Sequence, residues 1–348
     1  MGRNNKSYHK DLKQQIYEKL TTMLKNGEGR SKTADKKNNC TQNFIYSYNT
    51  YKSYWKHAKY FANYINEYHP ECTTLKSAKK YVNEWLQFRV DNGSQNGKPL
   101  SAWTITLERQ ALGKLYGIEP DSPDFFKAPV RHREDIKRSR LSTERDKHFS
   151  ETNNAEFIQF CKDTGCRRNI IEKLKGYDLV TRESLERVKT QIENNLFATD
   201  DMKKECVIIN EALSTFPDQD YFIHHRTDKN GRSRFSPIIG DYKQAIIDRM
   251  KNTAPNENVW KVVPSNADIH GYRSDYATAI YKMYARPIEE IPYDKINKGT
   301  GRAYQSEVYV CRKDEVGKKL DKAAMEKASK ALGHNRLEVV ANNYIRGL

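Results

Sequence analysis

Three times between residues 44 and 116 apolar side chains recur at helical spacing, and a Pro-rich, densely charged stretch then breaks the pattern. The first stripe, over 44–68, carries Tyr51, Trp55, Ala58, Phe61, Ala62 and Ile65 and ends at His69-Pro70. The second, over 75–91, carries Ala78, Val82, Trp85 and Leu86 and stops near Asn92-Gly93. The third, over 101–116, has Ser101 as N-cap, Ile105, Leu112 and Leu115 on its face, and Gly117 just past its end. Helices of this kind can bury their stripes only against one another, so 41–120 is expected to form a compact helical domain. The break at 121–150 reads as a linker, with Arg131, Arg133, Lys137, Arg138 and Arg140 available to track a polyanion or simply to be solvated. In a chain of 348 residues that leaves 151–348 for a second domain.

Ahead of the helical domain, Leu12, Ile16, Leu20 and Leu24 predict one further helix over 8–26, followed by the polar stretch NGEGRSKTADKKNN. Residues 1–40 hold ten Lys/Arg against four Asp/Glu, a local charge of +6. They are read as a basic N-terminal extension, with an arm on DNA and a solvated segment as alternatives. The Lys-Tyr interleaving of Lys52, Tyr54, Lys56, Lys59, Tyr60 and Tyr64 is equally open to a phosphate-facing surface or to ordinary core.

The second domain mixes helical and short strand-like segments. Helices are expected at 153–163, 167–175, 241–251, 271–284 and 322–332, and Val207-Ile208-Ile209 is a short apolar run. Tyr221–His225 is strand-like, DKNG at 228–231 is a turn signal, and Arg234–Ile239 completes a hairpin over 221–239. A less regular insert at 286–320 contains SEVYVCR, another strand candidate. The expected class is mainly α with a small antiparallel β-sheet, an α+β fold.

Lys and Arg number 61 against 45 Asp and Glu, a net charge of +16 that favours a polyanionic partner through counterion release. No apolar run approaches the ~20 residues of a membrane span. The opening MGRNNKSYHKDLKQQ lacks the apolar stretch of a secretory signal, and Lys6 stands where myristoylation would need Ser or Thr. Six scattered cysteines without a C-x-x-C pair argue against zinc and against a disulfide framework. A reduced, cytoplasmic chain is expected.

Exchange of a phosphodiester without metal or nucleotide needs an oxygen nucleophile, cations for the charge on the non-bridging oxygens, and an acid for the leaving oxygen. Guanidiniums suit that charge because they are planar, bidentate and permanently protonated. The chain supplies such groups in the order Arg, Lys, His-x-x-Arg, His, Tyr. Thr164-Gly165-Cys166-Arg167 resembles the first box of tyrosine recombinases, and His270-Gly271-Tyr272-Arg273 resembles their H-x-x-R box. Leu332-Gly333-His334 resembles the L-G-H before the nucleophile, and Tyr344 follows that histidine by ten residues. Asp228–Pro237 is similar to the G-K-G-x-K-x-R-x-x-P hairpin of the family, with Lys229 at the catalytic lysine. H-x-x-R alone is a weak signal, whereas the boxes in order form a strong composite.

The resemblance implies a helical core-binding domain at 41–120 and a catalytic domain at 151–348. It implies a site of Arg167, Lys229, His270, Arg273, His334 and Tyr344 and no cofactor or metal. Double-stranded DNA and a homo-tetramer are the implied partners, with room for an accessory DNA-bending protein and none for a membrane. His224 and His225 are assigned to the strand alone, and Arg168 to DNA or solvent. Two departures stand out. The family's acid three residues after the first arginine is Ile170 here, and only four residues follow Tyr344. A type IB topoisomerase, a non-catalytic DNA-binding regulator and a metal-dependent nuclease are the rival readings.

Overall fold

The computed structural model describes residues 10–94, 96–132, 149–228, 231–291, 306–311, 316–345 and 348. Lys229, the run Arg133, Lys137, Arg138 and Arg140, and much of the 286–320 insert lie outside them. The chain divides into two compact units, residues 1–132 and 133–348.

In the first unit the helices are α1 (Leu12–Gly27), α2 (Lys32–Lys37), α3 (Tyr48–Tyr68), α4 (Leu75–Ala78), α5 (Val82–Asn92) and α6 (Ala102–Tyr116). The caps follow the sequence: Ser47 accepts from the Thr50 amide, Ser101 from the Thr104 amide, and Gly117 closes α6 at φ +62°. The stripe expected over 75–91 is not one helix, because a 3-10 turn at Lys79–Tyr81 separates α4 from α5. Leu20, Phe61, Ile65, Trp85, Leu86 and Leu112 are fully or almost fully buried in one core. Each contributes about 1.5–3 kcal/mol by leaving water. Ile16 and Leu20 are buried in the same core, so the stretch read as a basic extension contains a helix packed on α3.

The second unit contains helices α7 (Ala155–Thr164), α8 (Arg168–Ile171), α9 (Arg182–Glu193), α10 (Asp200–Thr215), α11 (Lys243–Asn252), α12 (Ile269–Tyr284), α13 (Lys322–Leu332) and α14 (Leu337–Asn343). Strands β1 (Leu179–Thr181), β2 (Tyr221–His225) and β3 (Arg234–Pro237) form an antiparallel sheet in that order, with Leu179 opposite Ile223 and His225 opposite Arg234. Strands β4 (Val308–Val310) and β5 (Lys319–Asp321) pair separately, which places the SEVYVCR segment in a strand. Mainly helical with small antiparallel sheets, the molecule has the expected class.

Strand alternation sends successive β2 side chains to two cores. Phe222 joins Tyr276, Ile280, Ala328 and Leu332 on one face, and Ile223 joins Phe160, Ile171, Ile247 and Tyr272 on the other. Val207-Ile208-Ile209 lies inside α10, where Thr199 caps the helix, Asp200 and Asp201 face its dipole and Ile209 is buried. Among the described residues no helix is long and apolar enough to cross a membrane.

Candidate active site

The T-G-C-R segment leaves α7 through Gly165, which ends that helix at φ +59°. A side chain there would strike the ring of Tyr276, so the residue must be glycine for space as well as for conformation. The turn points Arg167 and Arg168 in different directions. Arg168 donates to the carbonyls of Ser265 (3.1 Å) and Ala267 (3.2 Å) in the loop before α12. Arg167, 19% exposed, instead pairs with Asp228 and reaches the Leu332 carbonyl at 3.5 Å. The two arginines, identical in the sequence, are thus a structural brace and a site residue.

Helix α12 begins with Asp268 as its cap, accepting from the Gly271 amide, so His270 is left exposed on the first turn. One turn further on, Arg273 is 2% exposed. Its Nη1 donates to the Gly165 carbonyl and its Nη2 to the Leu332 carbonyl, while Nε meets no acceptor among the described residues. The Leu332 carbonyl is therefore shared by the guanidiniums of Arg167 and Arg273. Burial, and then the charges of Arg234 and Arg167, bring the Arg273 pKa down to about 10, still leaving it cationic at neutral pH.

The L-G-H segment follows α13, whose start is fixed by Asp321 accepting from the Ala323 amide and from Arg286. Gly333 adopts φ +68°, and a side chain on it would come within 2.7 Å of the Arg234 stem. The His334 amide donates to Ser329 and its carbonyl accepts from the Ser329 hydroxyl, which locks the turn. Helix α14 then returns Tyr344 to the site. The ring of Tyr344 lies 5.3 Å from that of His270 and 5.2 Å from that of His334, with the Arg273 guanidinium 5.8 Å from its centre. Its carbonyl accepts from Ser274 and, at 3.3 Å, from Thr278, both on α12. The tyrosine is thereby fastened to the helix that bears His270 and Arg273.

Five of the six expected residues accordingly come together; Lys229 lies outside the described residues. Others in the cluster had no role assigned from the sequence. Arg234 is buried beneath Arg167, bonded to Asp228 (3.0 Å), to the Ala331 carbonyl and to Nδ1 of His225 (3.1 Å). Because a guanidinium only donates, Nδ1 of His225 accepts, and its Nε2 then carries the proton toward the Ser236 hydroxyl 2.6 Å away. Burial, with Arg234 and Arg273 beside it, holds the His225 pKa well below the ordinary value, so the ring is neutral. His225 therefore does more than fill the strand. The period-two alternation of β2 and β3 offered a hint, since it puts His225, Arg234 and Ser236 on one face.

An open groove of about 820 Å³ leads to this cluster, lined by Arg167, Arg234, His334, Arg232, Lys204 and Arg336. His270, Arg273 and Tyr344 are not among its walls, and Tyr344 is 6% exposed. Chemically, the arrangement gathers a phenol, two imidazoles and a surplus of fixed positive charge, of which Arg167, Arg234 and His334 open onto a cationic groove. No known family profile matches the chain, and no curated protein matches it.

Proposed function

We propose that the chain is a tyrosine recombinase, a site-specific enzyme that breaks and rejoins double-stranded DNA through Tyr344. The observation that carries this reading is the set of His270, His334 and Arg273 around one phenol, with Arg167 and Arg273 meeting at a single carbonyl oxygen. Attack by the Tyr344 oxygen on the scissile phosphorus makes a 3′-phosphotyrosine and breaks the bond to the 5′-oxygen, which leaves as a hydroxyl. Arg167, Arg273 and His334 hold the phosphoryl oxygens, where fixed donors act most strongly because they need no reorganisation. The Arg273 Nε–H finds its acceptor there, which ends the cost of a buried donor left without one. His270 takes the phenolic proton, and Lys229 supplies a proton to the leaving oxygen. The 5′-hydroxyl of a second duplex reverses the step. Because the covalent bond conserves the phosphodiester, the chemistry asks for neither nucleotide nor metal. Residues 41–120 serve as the core-binding domain, 151–348 as the catalytic domain, and four copies assemble on paired sites.

The test is incubation of the full chain with a library of randomised duplexes, followed by denaturation in SDS and recovery of protein-linked DNA. The expected product is a 3′-phosphotyrosyl peptide containing Tyr344, formed equally well in the presence of EDTA and lost in Tyr344→Phe. Linkage to a different residue, or undiminished adduct in Tyr344→Phe, overturns the assignment.

A further inference from the structure

One carboxylate oxygen sits between two of the site's guanidiniums. Oδ2 of Asp228 accepts from Nη1 of Arg167 and, at 3.0 Å, from Nε of Arg234. Asp228 is 5% exposed and Arg234 7%, so neither is held in place by solvent. Arg234 in turn is pinned by the Ala331 carbonyl and by neutral His225, and His225 by Ser236, whose hydroxyl donates to the Thr164 carbonyl at 3.4 Å. The chain of contacts thus runs from the strand pair β2–β3 to the two loops that present Arg167 and His334. It ends on the guanidinium of Arg167, which lines the groove and keeps 19% exposure, the most of the three.

We propose that Asp228 is the positioning residue for Arg167, replacing from the hairpin the acid that Ile170 cannot supply from the helix. Three guanidiniums packed this closely repel one another, and Arg167, with only a long carbonyl contact besides Asp228 among the described residues, is the one able to swing into the groove. The carboxylate holds it at the aperture, while Arg234 and His225 keep the carboxylate from following. This inference rests on the phosphoryl-transfer reading for its consequence, though not for its geometry.

The geometry is tested without DNA. In full-length protein the rate at which phenylglyoxal modifies Arg167, read by peptide mass spectrometry, is expected to rise about tenfold in Asp228→Asn, the factor for one charge-assisted hydrogen bond. Asp228→Glu should restore part of the protection. An unchanged Arg167 rate in a folded Asp228→Asn overturns the proposal. Should that variant fail to fold, Arg234→Lys, which leaves both partners in place, is expected to expose Arg167 in the same way, and protection as in wild type overturns it. The consequence is tested on the randomised duplexes. Asp228→Asn should slow adduct formation by about 10²-fold, the effect of displacing a catalytic group by about 1 Å. In an Arg167→Ala background it should add nothing, whereas an undiminished further loss there means Asp228 acts independently of Arg167 and sinks the proposal. Increased Arg167 reactivity with no adduct on any DNA, wild type included, would leave the positioning intact and defeat the recombinase reading alone.

Discussion

Each unit buries a cluster of charges, and the two clusters are built on different balances. In the first unit Glu108, wholly buried on α6, accepts from His57 of α3 (3.1 Å) and from both Nε and Nη2 of Arg89 on α5. Burial alone would raise its pKa, but the hydrogen bonds from His57 and Arg89 outweigh it and hold the carboxyl below its ordinary range. One acid is answered by one guanidinium and one imidazole, and three helices are pinned together. In the second unit a single acid among the described residues, Asp228, pairs with both Arg167 and Arg234, with Arg273 close by and His225 neutral. The first cluster is complete in itself. The second has more cation than the described residues answer, and it lies at the end of a groove. Buried charge closed on itself is architecture, and buried charge left in surplus is a place for an anion.

That contrast can be broken most severely at Glu108. Glu108→Ala leaves Arg89 and His57 buried without their carboxylate and should cost 1–132 about 3–5 kcal/mol. Hydrogen exchange should quicken across α3, α5 and α6 while 133–348 keeps its protection, and an unchanged pattern in the first unit would show the triad to be dispensable. Arg167→Ala works the other way. Arg234 still answers Asp228, so the second unit should stay folded while adduct formation falls roughly 10²–10³-fold. Loss of fold with retained chemistry would invert the comparison.

Inorganic phosphate at ten times its dissociation constant should stabilise 133–348 by about 1.4 kcal/mol and leave 1–132 unmoved. Exchange protection gained in the first unit instead would misplace the anion site. The smallest effect is expected at Asp163, which closes α7 just before the T-G-C-R segment. Burial pushes its pKa up to about 6, and its Oδ2 has no hydrogen-bond partner among the described residues. The folded state therefore holds this proton more tightly than the unfolded chain does. The resulting stability is present at pH 4 and is lost as pH rises through about 6. Asp163→Asn should raise the melting temperature at pH 7 by about 2–4 °C and matter little at pH 4. Equal shifts at both values would remove the carboxyl from the account.

How much of this was legible beforehand differs by residue. The boxes at Arg167, His270–Arg273 and His334–Tyr344 could be read because each couples a chemical group to a backbone requirement, and Gly165 and Gly333 record those requirements in the sequence. The hairpin could be read because turn residues and strand alternation are local. Asp228 could not, since an aspartate opening a turn looks like a turn former. Its pairing with Arg167, 61 residues away, exists only after folding. Nor did three apolar residues at 207–209 suffice to distinguish strand from helix, although Thr199-Asp200-Asp201 carried the start signal. The helix α1 was visible as a periodic stripe, but only packing shows it belongs to the same core as α3.

The fastening of the Tyr344 carbonyl to Ser274 and Thr278 has a consequence for assembly. On the proposed reading, nucleophile and phosphoryl-holding groups come from one polypeptide, so no copy has to borrow a phenol from its neighbour. On that reading, any ring of identical chains would contain as many self-sufficient cutters as members. If they are to act in turn, the timing has to be imposed on them from outside, by how neighbours press on one another or by the curvature of the duplex they grip.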